Sequence, residues 1–120
     1  MKFKINCVIY FCKNMKLMTE FYTNVMGLRV IRNDTFPPNE WLELGGKGFK
    51  LCLHKAGNPG CPGRNRNKLV FEVDEVGEAR AYLVARKVRV GKNLRWASGE
   101  TCDGRDPEGN RFQIAGPRRS

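Results

Sequence analysis

The chain has 120 residues, 41% apolar and 28% charged, which fits one globular domain with a single core and excludes a disordered chain. Lysine and arginine outnumber aspartate and glutamate by 22 to 12, a net charge of +10. Such an excess either steers anionic partners toward the surface or simply keeps a basic surface soluble.

No apolar run reaches the length of a membrane span. The opening "MKFKINCVIYFCKN" is interrupted by Lys4 and Asn6 where a signal peptide needs a continuous apolar core. A cytoplasmic protein without a membrane partner is expected. The five cysteines then read as reduced thiols, and their odd number argues against a complete disulfide framework.

In chain order, "FKINCVIYFC" reads as a strand. In "MKLMTEFYTNVM", residues 15 to 26, a helical stripe carries Leu17, Met18, Phe21, Tyr22, Val25 and Met26. Asn14 is its N-cap and Gly27 its stop. "LRVIRN", "WLELG" and "FKLCLH" follow as three strands set off by Pro and Gly signals. The second half opens with the strand "KLVFEVD", and Asp74 is expected to cap a helix through Val76, Ala79, Tyr82 and Leu83. Then come "VRV", a stretch around Trp96 to Cys102, and "RFQIA". Between the last two, Asp106-Pro107-Glu108-Gly109 has the residues of a type I turn.

The halves match when the chain slides about 60 positions along itself. Tyr22 falls on Tyr82, Leu28 on Val88, Arg29 on Arg89 and Val30 on Val90. One residue further on, Gly48 falls on Gly109, Leu51 on Phe112 and Leu53 on Ile114. A duplicated unit results: module one spans about 1–57, a Pro/Gly-rich connector 58–67, and module two about 68–117, within one domain over 1–120.

Three stretches in this order, "FYTNVMGLRVI", "KLVFEVDEV" and "DPEGNRFQI", resemble the vicinal oxygen chelate superfamily of glyoxalases, bleomycin-resistance proteins and extradiol dioxygenases. The resemblance implies an α+β fold: two tandem βαβββ modules forming curled mixed sheets around a cleft, helices on the outer face. Lys87 stands where the second helix would usually end on glycine. A left-handed lysine costs about 1 kcal/mol, so a different helix end is expected there.

The resemblance also implies where a metal would sit. Its ligand positions fall on Cys7, Cys52, Lys68 and Gln113. Hard divalent ions take carboxylate oxygens and imidazoles, and none of the four supplies either. The protonated lysine has no lone pair to offer. No metal and no cofactor is therefore expected. A softer alternative places zinc at Cys7, Cys52 and His54, against which buried cysteine is commonly a small hydrophobe. A Cys52–His54 nucleophilic pair would need the two side chains in contact, whereas side chains two apart on one strand point in parallel.

Strand alternation lists the wet faces: Cys7, Ile9 and Phe11; Lys50, Cys52 and His54; Lys68, Val70 and Glu72; Arg111 and Gln113. Apolar groups ringed by cations and amides suit a small-molecule pocket. Lys50, Lys68 and Arg111 favour a carboxylate or phosphate, with Gln113 orienting it; Lys50 and Arg111 can equally be strand-end solvation. Trp41 and Trp96 are either aromatic walls or core. Arg64 and Arg66 in the connector are read as a solvated loop. The expected ligand-binding set is Cys7, Ile9, Phe11, Trp41, Lys50, Cys52, His54, Lys68, Val70, Arg111 and Gln113.

The expected function is metal-independent binding or sequestration of a small anionic or partly aromatic compound, as in bleomycin-resistance-like proteins. The resemblance implies a homodimer with a shared cleft. The alternative is a metal-dependent lyase, isomerase or dioxygenase with an atypical ligand set. A nucleic-acid partner is not expected, since no contiguous basic helix or stacking platform is present.

Overall fold

The computed structural model describes residues 1–2, 4–33, 39–46, 48–56 and 67–119. The connector with Arg64 and Arg66, and most of the loop before Trp41, lie outside them. The chain divides into two compact units, Met1–Gly60 and Cys61–Ser120.

The first unit runs β1 (Val8–Cys12), α1 (Met15–Glu20), a π-helical turn (Phe21–Val25), β2 (Arg29–Arg32), β3 (Trp41–Gly46) and β4 (Phe49–Lys55). Its sheet has the order β1-β4-β3-β2, with β1 parallel to β4 and the other pairs antiparallel. Asn14 caps α1 as expected, its Oδ1 accepting the Leu17 N–H at 3.0 Å. Tyr10, Met18, Phe21, Tyr22, Leu42, Leu44, Leu51 and Leu53 are buried, each worth roughly 1.5–3 kcal/mol of transfer free energy. Tyr22 meets both Phe21 and Tyr10 edge-on, with centroids 4.9 and 6.4 Å apart.

The helix differs from the expected single stretch. It is α-helical only to Glu20 and then widens, the Met26 N–H reaching back to the Phe21 carbonyl at 2.9 Å. Leu17 falls outside the buried stripe and is exposed. Gly27 ends the element in the left-handed region, φ 79°, where glycine carries no Cβ penalty.

The second unit runs β5 (Leu69–Glu72), α2 (Val76–Ala85), β6 (Arg89–Val90), β7 (Leu94–Trp96), β8 (Gly99–Arg105) and β9 (Arg111–Gly116). The order is β5-β9-β8-β6, with β7 also on β8 and β5 parallel to β9. The stretch expected around Trp96 to Cys102 is thus a hairpin of two strands, which adds a short strand to this βαβββ unit. The fold is α+β, with two mixed open sheets and two helices among the described residues. No helix there is long and apolar enough to cross a membrane.

Two local expectations for α2 are corrected. Its cap is Glu75, not Asp74: Glu75 has the extended backbone of a cap, and its carboxylate accepts the Gly77 N–H at 3.3 Å. Asp74 instead offers its carbonyl to Arg119 at 3.0 Å. The helix does end on a left-handed Lys87, φ 61°. The Lys87 N–H bonds the Val84 carbonyl and the Val88 N–H the Leu83 carbonyl, both at 3.0 Å. These two bonds satisfy otherwise orphaned helix-end carbonyls and offset the strain of a non-glycine residue.

The Asp106–Gly109 turn forms as expected. The Gly109 N–H bonds the Asp106 carbonyl at 2.9 Å, and the buried Asp106 carboxylate accepts the N–H groups of Glu108 and Asn110, also at 2.9 Å.

The two cores fill equivalent space differently. Leu44 and Leu51 are register partners in the first sheet, and Gly104 and Phe112 hold the matching places in the second. A methyl group on Gly104 would run into the Phe112 ring. Two medium side chains on one side correspond to none plus one large on the other.

Candidate functional site

The first sheet's wet face forms in rungs. Ile9, Cys52 and Glu43 lie side by side on β1, β4 and β3, as do Phe11, His54 and Trp41. The His54 ring lies 5.3 Å from Phe11 and 5.6 Å from Trp41, centroid to centroid. Phe11 is 60% exposed, so this trio makes an aromatic ledge rather than core. His54 donates from Nδ1 to the Lys55 carbonyl at 2.7 Å.

Glu43 is the residue that sequence reading missed on this face. Its Oε2 accepts the Trp41 indole N–H at 2.9 Å and its Oε1 the Lys50 ammonium at 3.3 Å. The Trp41 hydrogen bond, helped by the charges of Lys50 and Arg32, outweighs burial and holds the carboxyl below its ordinary range. The alternation of "WLELG" already set Glu43 on the side of Trp41.

Cys52 lies on the expected face but is only 1% exposed. Burial first, then a hydrogen bond and charge coupling with Cys7, push its thiol up to about 12. It is therefore a protonated thiol at neutral pH.

On the second sheet Val70, Gln113 and Asp103 form one rung, and Arg111, Arg105 and Arg89 the next. Lys68 precedes Leu69, the partner of Phe112, which brings it to the end of that arginine row. These four cations and Asp103 line a hollow of about 400 Å³. Lys68 Nζ and Gln113 Nε2 both reach Asp103 Oδ1, each at 3.1 Å. Burial raises the Asp103 pKa, but the Gln113 and Lys68 hydrogen bonds and the nearby Lys68 and Arg111 charges lower it by more. Arg105 also donates to the Gly109 carbonyl at 2.8 Å. Trp96 is 52% exposed and donates its indole N–H to Thr101 at 2.8 Å, so it stands on the wet side. Asp103, Arg89 and Arg105 were not anticipated, because their alignment depends on register between strands distant in sequence.

A larger hollow, about 550 Å³, lies between α1 and strands β2 and β3. Of the expected ligand-binding residues it includes Trp41 alone, and its Lys16 and Glu20 balance in charge.

Cys7, Cys52, Lys68 and Gln113, the positions that the resemblance assigns to metal ligands, are poor donors for a hard divalent metal. Among the described residues no three His, Cys, Asp or Glu side chains are grouped to hold one. Cys52 is buried, and a bound metal would have to displace its thiol proton. His54 is bonded at Nδ1 and flanked by rings. Lys68 is engaged as an ammonium, and Gln113 turns its amide nitrogen toward Asp103.

Among solved structures the chain is similar to TnmS3, an antibiotic binding protein from Streptomyces sp. CB03234, at 23% identity with a TM-score of 0.78, over 97% of this chain and 99% of that one. It is similar to the fosfomycin resistance protein FosX of Listeria monocytogenes at 15% identity and 0.79, over 97% and 94%. A lactoylglutathione lyase from Agrobacterium tumefaciens gives 20% and 0.71, over 94% and 92%. At these identities the likeness is one of fold. No curated protein sequence matches the chain. The family model of a glyoxalase-like domain matches residues 6–115. A duplicated strand–helix–strand unit, two mixed sheets and that match across nearly the whole chain lead to one conclusion: the chain belongs to the glyoxalase-like domain family, within the vicinal oxygen chelate superfamily.

Proposed function

We propose that the chain is a metal-independent binding protein of the bleomycin-resistance type, which captures a small anionic, partly aromatic compound and works as a homodimer. The observation that carries this reading is the hollow on the second sheet, where Lys68, Arg89, Arg105 and Arg111 converge with Asp103 as the acid among them. Guanidinium groups bind carboxylate and phosphate through paired N–H donors, and hydrogen bonds to charged groups contribute roughly 1.5–3 kcal/mol each. The aromatic ledge of Phe11, His54 and Trp41, and Trp96 on the other sheet, offer stacking surfaces to planar ligands. The antibiotic binding and fosfomycin resistance relatives support capture of small molecules by this fold.

Binding of this kind needs no bond to break. It requires a desolvated anion facing fixed donors and an apolar surface beside them. The test is a thermal-shift panel of aromatic acids, organophosphates and cationic drugs, with metal analysis on protein purified without a histidine tag. Acids should raise Tm by several degrees, since a ligand at a hundredfold excess over its Kd adds about 2.7 kcal/mol. Stabilisation by cationic drugs alone would remove the electrostatic basis. A stoichiometric metal, with turnover lost to chelator, would establish the lyase or dioxygenase alternative. Gel filtration at micromolar concentration should show a dimer, and a stable monomer counts against shared sites.

A further inference from the structure

The wet face of the second sheet is graded along its strands. At one end Arg89, Arg105 and Arg111 pair in register, with Lys68 beside them. The next rung holds Val70, Gln113 and Asp103, and the one after it Glu72, Ala115 and Thr101. Trp96 closes the far end: its backbone pairs with Gly99, and its indole N–H leans back to Thr101 Oγ1 at 2.8 Å.

Both Thr101 and Arg105 lie on β8, and at the rise of an extended strand Thr101 stands about 13 Å along it from Arg105. Between these ends the groups differ in kind. Val70 is a large apolar side chain left exposed, and Asp103 is engaged by Lys68 and Gln113 through Oδ1. Glu72 stands on the edge strand, on the rung farther from the arginines. A negative charge therefore finds cations only at the arginine row. A second one further along the face would meet Asp103 or Glu72 and be repelled.

We propose that this face binds an elongated molecule with one acidic head, an uncharged stem and an aromatic ring, the head on the arginine row and the ring on Trp96. The inference rests on the anion-binding reading above and adds to it a length and an orientation. Guanidinium donors hold the head. The stem covers Val70 and Ala115, and burial of this apolar surface adds to the affinity. The indole face adds stacking to the ring. A short aromatic acid reaches the row but not Trp96, and a full-length acid without a ring reaches Trp96 but cannot stack.

Calorimetric titration of benzoate, octanoate and phenyloctanoate at neutral pH, where each carries one charge, tests this. Phenyloctanoate should bind about tenfold or more tightly than either of the others. Trp96→Ala should weaken phenyloctanoate about fivefold or more and leave benzoate within about twofold. Trp96→Phe, which keeps a ring but loses the hydrogen bond to Thr101, should retain most of the affinity. Arg111→Gln should weaken all three acids about threefold or more. If the acids bind but Trp96→Ala leaves phenyloctanoate unchanged, or weakens benzoate equally, the extended site is overturned while the anion site stands. If no acid binds the intact protein, or Arg111→Gln changes nothing, the anion-site reading fails and this inference with it.

Discussion

The two sheets share a frame and differ in what they show to solvent. Each pairs its first strand parallel to its last, and each carries an acid on its penultimate strand, Glu43 and Asp103, sixty residues apart and both bonded to lysine. Beyond this the faces diverge. The first offers an aromatic ledge with its acid largely shielded, and the second a row of cations with its acid half in water. Backbone pairing is indifferent to outward side chains, so a duplicated scaffold can keep its register while its two faces take on separate chemistry.

If the frames are equivalent, their core pairs should be exchangeable as pairs but not singly. Gly104→Leu alone should cost about 3 kcal/mol or more, because the new side chain meets the Phe112 ring. Adding Phe112→Leu rebuilds the leucine pair of the first sheet and should recover at least about half of that loss in urea unfolding. A double variant worse than the sum of its singles would mean that the cores are not interchangeable.

The acids sharpen the contrast. Glu43 has a side chain 13% exposed and two donors, so Glu43→Gln should cost about 1–3 kcal/mol. Asp103→Asn, more exposed, should stay within about 1 kcal/mol. Both pKa values are lowered by folding. The stability that Glu43 contributes is present above its ordinary 4.5 and lost as pH falls through its folded value. Acid titration of the Glu43→Gln variant should show a shallower decline below about pH 4.5 than the parent. Equal costs for the two substitutions would erase the distinction between a shielded and an open face.

The smallest effects concern the helix ends. Lys87→Gly should stabilise by about 0.5–1 kcal/mol, whereas Gly27→Ala should destabilise by about 1 kcal/mol, because both positions are left-handed. Thermal unfolding reads both signs.

Much of this frame was legible in the sequence. Alternation in "FKLCLH" and "RFQIA" placed Lys50, Cys52, His54, Arg111 and Gln113 on the faces where they stand, and the turn residues located the β8–β9 connection. What escaped depended on partners remote in the chain. "CDGR" does not read as a core strand, because the volume missing at Gly104 is supplied by Phe112. Arg89 and Arg105 look like isolated surface charges until antiparallel pairing sets them side by side. Asp74 has better capping chemistry than Glu75, but the backbone turns into the helix one residue later. Lys87 showed that two helix-end hydrogen bonds can hold a side chain where propensity alone favours glycine.

The wide turn at Phe21–Val25 explains a discrepancy between the halves. Asn14 and Glu75, the two helix caps, are 61 positions apart, whereas Gly27 and Lys87, the two left-handed stops, are 60 apart. The first helix therefore contains one residue more than its counterpart, and the π-helical stretch is where that surplus is stored. An insertion that would otherwise have rotated everything downstream is absorbed within a single coil of backbone, so β2 still enters its sheet in phase.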